Sequence, residues 1–152
     1  MPEDPLYNPD DPLAGQDISG GCGVCHNNPN VGNHSSSLPI NIGVALAQPT
    51  NNDGSANNVL DIKHLPVYTL QNLATGVTIA VTDPGKAMIS GRWTDIGKTK
   101  GPMLRGLAGR PPYFHNGSAK DLATVVKFYD TRFNIGLTPQ QVRDLVAFLN
   151  AL

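Results

Sequence analysis

The feature that most constrains the fold is Cys22-Gly23-Val24-Cys25-His26, a C-x-x-C-H pattern near the start of the sequence. This pattern is typical of c-type haem attachment. Two thiols three positions apart on a helical turn can each form a thioether with one haem vinyl group, and the adjacent imidazole can then bind the iron as the proximal ligand. We therefore expect one covalent haem c, attached through Cys22 and Cys25 and ligated by His26.

Other uses of a cysteine pair need features that this sequence lacks. A structural zinc site takes about four ligands, usually from two such pairs, and the sequence contains 2 cysteines. A thioredoxin-like redox pair is expected in a βαβ context, which does not follow here. A disulfide across so short a loop would be strained and would not require His26.

The composition fits one loop-rich domain and excludes several classes of partner. The sequence has 152 residues, 39% of them apolar, with 16 glycines and 13 prolines, and this length suits a single domain. A net charge of −1 gives no sign of a nucleic-acid partner. No apolar run approaches the length of a membrane span.

The expected location follows from the chemistry of attachment. The first residues lack the basic and apolar segments of a signal peptide. Because covalent haem attachment implies assembly outside the cytoplasm, we expect a periplasmic or otherwise extracytoplasmic protein. Its signal peptide would have been removed, or the sequence would be part of a longer chain.

The first half of the sequence is dominated by loop-forming residues. Residues 1–19 contain four prolines and five acidic residues without periodicity, which indicates an extended arm or linker preceding a haem domain over 20–152. Residues 27–58 are rich in Asn, Gly, Ser and Pro, and they predict a long loop region with one apolar patch at 40–47.

The middle of the sequence predicts several short elements. Residues 65–74 can form a short helix, and residues 76–81 alternate with β-branched side chains, which favours a strand or hairpin ending at Asp83-Pro84-Gly85. Residues 86–89 suit one helical turn, and Pro102 stands at a good first position for a helix.

Two amphipathic helices near the end are the clearest prediction. Ser118 would cap the first, and Thr138, followed by Pro139 and by Gln141 in a capping box, would begin the second. Apolar side chains recur at helical spacing on one face of each: Leu122, Val125, Val126 and Tyr129 in the first, and Val142, Leu145, Val146, Leu149 and Leu152 in the second. The predicted fold is therefore mainly α-helical, a small cytochrome with long loops and room for one short β-hairpin.

Four segments together resemble the C-terminal half of bacterial di-haem cytochrome c peroxidases and their MauG-like relatives. They are Cys22 to His26, Pro-x-Leu-Arg at 102–105, Pro-Tyr-Phe-His-Asn-Gly at 112–117, and Val-Ala-Phe-Leu-Asn-Ala-Leu at 146–152. The resemblance covers about residues 20–152. Each segment alone is only moderately specific, but their shared order and spacing make the combined match strong. It implies a class I cytochrome c-like fold with His26 as proximal ligand.

The resemblance also implies roles for three residues around the haem. Arg105 would meet a haem propionate, because a guanidinium can pair with a carboxylate through two hydrogen bonds. Trp93 would pack against the porphyrin. His115 would have a structural role beside the haem, hydrogen-bonding its loop or a propionate, with acid–base catalysis as the alternative.

The sixth iron ligand is where the sequence departs from the peroxidases. They place a methionine fourteen residues after the histidine of this motif, whereas the corresponding residue here is Tyr129, as in the MauG-like enzymes. Tyrosine is an established haem ligand, and a methionine ligand raises the potential. Met103 and Met88 remain alternatives, as do an open or water-bound site and ligation by a histidine such as His34 or His64, which lie in predicted loops.

The resemblance further implies a calcium ion bound partly by main-chain carbonyls near Arg110 and Pro112. Those carbonyls alone cannot hold the ion, because the other haem domain supplies a ligand in the family. The calcium ion is therefore a minor expectation beside the haem.

Three functions remain open at this point. The first is an electron-transfer domain with one haem, whose partner is a redox protein or an upstream haem domain. The second is a peroxidase-like or MauG-like oxidoreductase, in which a Tyr129-ligated haem acts together with a second haem domain. The third is a haem-based sensor with an open sixth position. The sequence gives no oligomeric state.

Overall fold

The computed structural model describes His26 and residues 38–152. Cys22, Cys25, His34 and the arm at 1–19 lie outside the described residues. The order of elements is β1 (Tyr68–Gln71), β2 (Thr78–Val81), α1 (Ala87–Ser90), 3₁₀ turns at Trp93–Asp95 and Leu107–Gly109, α2 (Leu122–Phe133) and α3 (Pro139–Ala151).

The two strands form an antiparallel hairpin that pairs Tyr68 with Val81 and Gln71 with Thr78. The predicted strand is thereby confirmed, but the helix predicted over 65–74 is wrong. Asn72 explains the difference, because its side-chain oxygen accepts the Ala74 N–H at 2.9 Å and turns the chain after β1. Pairing with β2 then overrides the local helix preference, as tertiary context often does.

The hairpin covers one of two apolar clusters. Ile79 and Val81 lie on the buried face of the hairpin and pack with Ile96. Trp93 and Leu70 lie partly buried against them. This hairpin cluster also extends to α1, which occupies the helical turn predicted at 86–89 with a shift of one residue.

The larger cluster forms around α2. Its buried members are Val44, Leu60, Ala119 and Phe128, and Phe128 is fully buried. Val44 comes from the apolar patch at 40–47, from which Ile40 and Ala45 are also buried. We call this group the aromatic core, because tyrosine and phenylalanine rings pack around it.

Helix α2 begins later than expected. Asp121 is its N-cap, accepting the Thr124 N–H at 2.8 Å, whereas Ser118 is buried in the preceding loop. The prediction of Ser118 as N-cap is therefore wrong, because residues 113 and 119 pair across the loop and delay the helix. The apolar face is confirmed, with Leu122 and Val126 buried.

Helix α3 begins as predicted, with Thr138 as N-cap, Pro139 in its first turn and a capping box completed by Gln141. It packs against α2 and the Leu107–Gly109 turn. The five residues of its predicted apolar face are all partly buried and none is fully buried. This helix therefore covers the domain from outside and does not pass through its centre.

The helix predicted to begin at Pro102 does not form there. Residues 101–104 have no regular structure, and helical turns begin only with the 3₁₀ turn at Leu107–Gly109. The Arg110 guanidinium accounts for this, since it binds the main-chain carbonyls of Met103, Arg105 and Gly106 at 2.8, 2.5 and 3.2 Å. Those carbonyls are thus satisfied without a helix.

The described residues therefore form a small mixed α/β structure with three helices, one two-stranded sheet and long loops. The predicted hairpin and the two C-terminal helices are confirmed. No helix within the described part of the chain is long and apolar enough to cross a membrane.

Candidate functional site

His26 has helical backbone geometry and is partly buried. Its Nδ1 atom is shielded from solvent. In a metal-ligating imidazole the ring nitrogen that does not bind the metal faces a protein group or water, and a shielded Nδ1 atom is consistent with that arrangement. Because Cys22 and Cys25 lie outside the described residues, attachment through them stays a prediction.

Tyr129 lies on α2 among aromatic rings. Its ring centroid is 5.6 Å from that of Phe128, 5.9 Å from that of Phe133 and 5.9 Å from that of Phe114. Tyr129 itself is partly buried and packs against the aromatic core. The phenol is thus carried on a well-packed helix, as expected of a side chain that must keep one orientation.

The loop containing Pro-Tyr-Phe-His-Asn-Gly is fixed by hydrogen bonds at both ends. Tyr113 and Ala119 exchange two main-chain hydrogen bonds of 2.6 and 3.3 Å. The Asn116 amide donates to Val44 O at 2.9 Å and to Thr82 Oγ1 at 3.0 Å, and its oxygen accepts the Ser118 N–H at 3.1 Å. The ordered loop predicted from its prolines and glycine is confirmed, and we call residues 112–119 the clamped loop.

Phe114 has an unusual backbone within the clamped loop, with φ of 66°. Bulky residues rarely adopt this left-handed conformation, which costs about 1–2 kcal/mol. The described residues include one other non-glycine with positive φ, Asn134, but asparagine is a common choice at a helix C-cap. The strain at Phe114 must therefore be offset by the contacts that surround it.

His115 leaves the clamped loop and meets the end of β2. Its Nδ1 atom lies 2.5 Å from Asp83 Oδ2, while Asp83 Oδ1 accepts the Gly85 N–H at 2.8 Å. Asp83 is largely covered, at 12% exposure, and His115 is 63% exposed. The pair lines an open cleft of about 360 Å³ with apolar walls from Tyr68 and Met88.

The other predicted residues lie elsewhere on the structure. Arg105 is exposed, and Trp93 packs partly buried against the hairpin cluster. The alternative ligands Met103 and Met88 are 58% and 75% exposed. The propionate and porphyrin contacts of Arg105 and Trp93 stay predictions.

One charged cluster supports the hairpin side of the domain. Asp95 is buried, and its carboxylate lies 3.3 Å from Lys86 Nζ and 3.8 Å from Lys98 Nζ. A hydrogen bond from the Ser90 side chain, followed by that of Lys86, lowers the pKa of Asp95 against the opposing effect of burial. This cluster joins α1 to the Trp93–Asp95 turn.

Within the described part of the chain, no three His, Cys, Asp or Glu side chains come together in a group that could bind a metal ion. His64 is exposed, 3.6 Å from Asp61. The predicted calcium ion would use main-chain carbonyls near Arg110 and Pro112, so it stays a prediction.

The structure therefore brings Tyr129 and the loop carrying His115 together, with Phe114 between them. Sequence reasoning did not find the partners Asp83 and Thr82, which reach this loop from more than thirty residues away. Asp83-Pro84-Gly85 is recognisable as a turn, but nothing in its sequence indicates which loop it meets.

Several known proteins are similar in sequence to this chain over part of their length. The chain is 33% identical over 144 residues to cytochrome-c peroxidase IdrP1 of Denitromonas iodatirespirans, a match covering 87% of this chain. It is also 33% identical over 144 residues to cytochrome-c peroxidase IdrP2 of that organism, covering 88% of the chain. The chain is homologous to cytochrome-c peroxidases. This similarity supports the predicted resemblance to cytochrome c peroxidases, whereas the assignment to a C-terminal haem domain or to the MauG-like enzymes stays a prediction.

The chain spans only 36% of the length of each of these two relatives. A cytochrome-c peroxidase IdrP1 from Pseudomonas sp. (strain SCT) is 32% identical over 98 residues, which cover 57% of this chain and 24% of that protein. No protein-family profile matches the chain, and no solved structure matches it at a significant level.

Proposed function

We propose that this chain is a c-type cytochrome domain with one haem that transfers electrons, equivalent to the C-terminal haem domain of a di-haem cytochrome c peroxidase. The observation that carries the proposal is a C-x-x-C-H motif within a sequence homologous to cytochrome-c peroxidases over 87% of its length. The motif indicates the prosthetic group, and the coverage of 36% of the relative suits one domain of a larger protein.

The residues present fit a covalent haem. The sequence supplies two thiols and an imidazole in the required order, and the Nδ1 atom of that imidazole is shielded from solvent. Tyr129 supplies a phenol on the partly buried face of α2, between rings that give it apolar surroundings. These are the donor types that proteins use to hold haem iron.

When bound, the haem would supply reversible one-electron transfer. Cys22 and Cys25 would anchor it, and His26 would bind the iron from one side. Tyr129 would be the sixth ligand, and its surrounding rings would keep water away from that side. Arg105 would offset the charge of a propionate.

We further propose that residues 20–152 adopt a class I cytochrome c-like arrangement, with residues 1–19 joining them to another domain or partner. The helical backbone at His26 and the terminal helix α3 support this arrangement. Because covalent haem attachment takes place outside the cytoplasm, the protein would be periplasmic or otherwise extracytoplasmic. Its partner would be a redox protein or a second haem domain.

A second candidate is a MauG-like oxidoreductase in which this haem shares oxidising equivalents with a second haem domain. The observation that favours it is Tyr129 at the position where the peroxidases have methionine. A tyrosine ligand would lower the potential and stabilise oxidised iron, whereas methionine would raise the potential.

The attachment is tested by expressing the chain with a cytochrome c maturation system. Acid–acetone should fail to extract haem from the wild type and should extract any haem from a Cys22→Ala/Cys25→Ala double variant. Haem that resists extraction from the double variant, or a wild type without covalent haem, would contradict the proposal.

Absorption spectra of oxidised and reduced protein then separate the two candidates, with Tyr129→Phe as the comparison. A wild-type ferric spectrum that changes in Tyr129→Phe would support tyrosine ligation. The weak long-wavelength band of methionine-ligated ferric haem would exclude it. Peroxide turnover by this chain alone would contradict a purely electron-transferring role.

A further inference from the structure

The clamped loop holds Phe114 against Tyr129. The loop is closed by the paired main chains of Tyr113 and Ala119 and by the Asn116 amide. The contact between His115 and Asp83 adds a further attachment to the hairpin side of the domain. The position of Phe114 is therefore determined by groups from three separate parts of the chain.

The backbone conformation of Phe114 calls for an explanation. A bulky residue with φ of 66° is strained, and such strain persists only where surrounding structure enforces it. Strained residues cluster at functional sites because the strain can hold a side chain in a required position. Here the strained residue directs its ring toward α2.

The ring of Phe114 meets two aromatic residues of that helix. Its centroid lies 5.1 Å from that of Phe128, with an interplanar angle of 69°, and 5.9 Å from that of Tyr129, with an angle of 55°. Phe128 and Phe133 also contact Tyr129, but they belong to α2 and move with it. Phe114 is the ring that approaches Tyr129 from the clamped loop.

We infer that Phe114 is a positioning residue that fixes the orientation of the Tyr129 ring relative to the rest of the domain. This inference rests on the proposed function, in which Tyr129 is the sixth haem ligand. Phe114 has no donor atom for iron; it would act by limiting rotation of the Tyr129 side chain and displacement of α2 at that point. The geometry of the tyrosine ligand thus depends on the strained loop.

The test compares substitutions of Phe114 in the haem-containing protein. Phe114→Tyr keeps a ring of the same shape, whereas Phe114→Leu keeps apolar volume without a flat ring. Phe148→Leu is the control, because Phe148 lies on α3 and is 48% exposed. The readouts are the ferric absorption and electron paramagnetic resonance spectra and the reduction potential, with circular dichroism to verify folding.

We expect Phe114→Leu to produce at least half of the change in potential that Tyr129→Phe produces, in the same direction. Phe114→Tyr and Phe148→Leu should match the wild type. In a Tyr129→Phe background, Phe114→Leu should have no additional effect on the potential, because its action passes through the tyrosine.

Three outcomes would overturn the inference. The first is a Phe114→Leu protein with wild-type spectra and potential. The second is an equal effect of Phe114→Leu with and without Tyr129. The third is a Tyr129→Phe protein whose spectrum equals that of the wild type. That result would show that Tyr129 is not a ligand but would leave the proposed electron transfer intact. If Phe114→Leu does not fold, Phe114→Met serves in its place. Absence of covalent haem from the wild type would instead contradict the proposed function.

Discussion

Replacing Gly85 by alanine tests the close packing between the Asp83-Pro84-Gly85 turn and the main chain of residues 97–98. Gly85 has φ of 58°, and a Cβ atom built on it would lie 2.5 Å from the main-chain oxygen of Lys98. That oxygen also accepts the Lys86 N–H at 2.8 Å. The backbone therefore cannot give way without losing a hydrogen bond.

Gly91 provides a matched control for this substitution. It has φ of 64° at the C-cap of α1, and a Cβ atom there would meet nothing within 4 Å. Alanine at either position costs about 1 kcal/mol for the left-handed backbone. Only Gly85→Ala adds steric overlap with a rigid group, which costs about 1–3 kcal/mol more.

We therefore expect Gly91→Ala to lower the free energy of unfolding by about 1 kcal/mol and Gly85→Ala to lower it by about 2–4 kcal/mol. Urea unfolding followed by far-ultraviolet circular dichroism would measure both, with equal slopes as the check that the unfolded states are comparable. Equal losses for the two variants would refute the packing argument, because their backbone requirement is the same.

Three further predictions concern stability. Phe128→Ala should cost about 3–5 kcal/mol, because the ring is fully buried, whereas Phe148→Ala should cost much less; similar thermal midpoints would contradict this. Thr138→Ala should cost about 1 kcal/mol through loss of the capping box, and an unchanged helical signal and stability would argue against it. Because a hydrogen bond from Ser90, followed by that of Lys86, lowers the pKa of Asp95, the stabilisation from these contacts is fully present above the unfolded pKa and is lost as the pH falls through the folded value. Asp95→Asn should therefore have a lower free energy of unfolding than the wild type at neutral pH, and the difference should shrink in acid. A difference that stays constant with pH would contradict this reasoning.

Local sequence signals predicted those elements whose causes are local. Thr138, Pro139 and Gln141 specify the start of α3 within four residues, so its capping box could be identified before the structure. The alternation of residues 78–81 likewise predicted β2. Failures occurred where groups outside the predicted segment compete for its main chain. Strand β1 replaces a predicted helix because it pairs with β2, and Arg110 holds the carbonyls after Pro102 that a helix would have used.

The features of the candidate site also divide into those with local causes and those that depend on tertiary structure. The sequence by itself determined the C-x-x-C-H motif, the placement of Tyr129 on an apolar helical face and the ordered loop around His115, because each depends on spacing within a short segment. Only the tertiary structure decided that Asp83 meets His115 and that Phe114 is strained against Tyr129. Those contacts join segments far apart in the chain, and their geometry depends on how the hairpin, the clamped loop and α2 pack together.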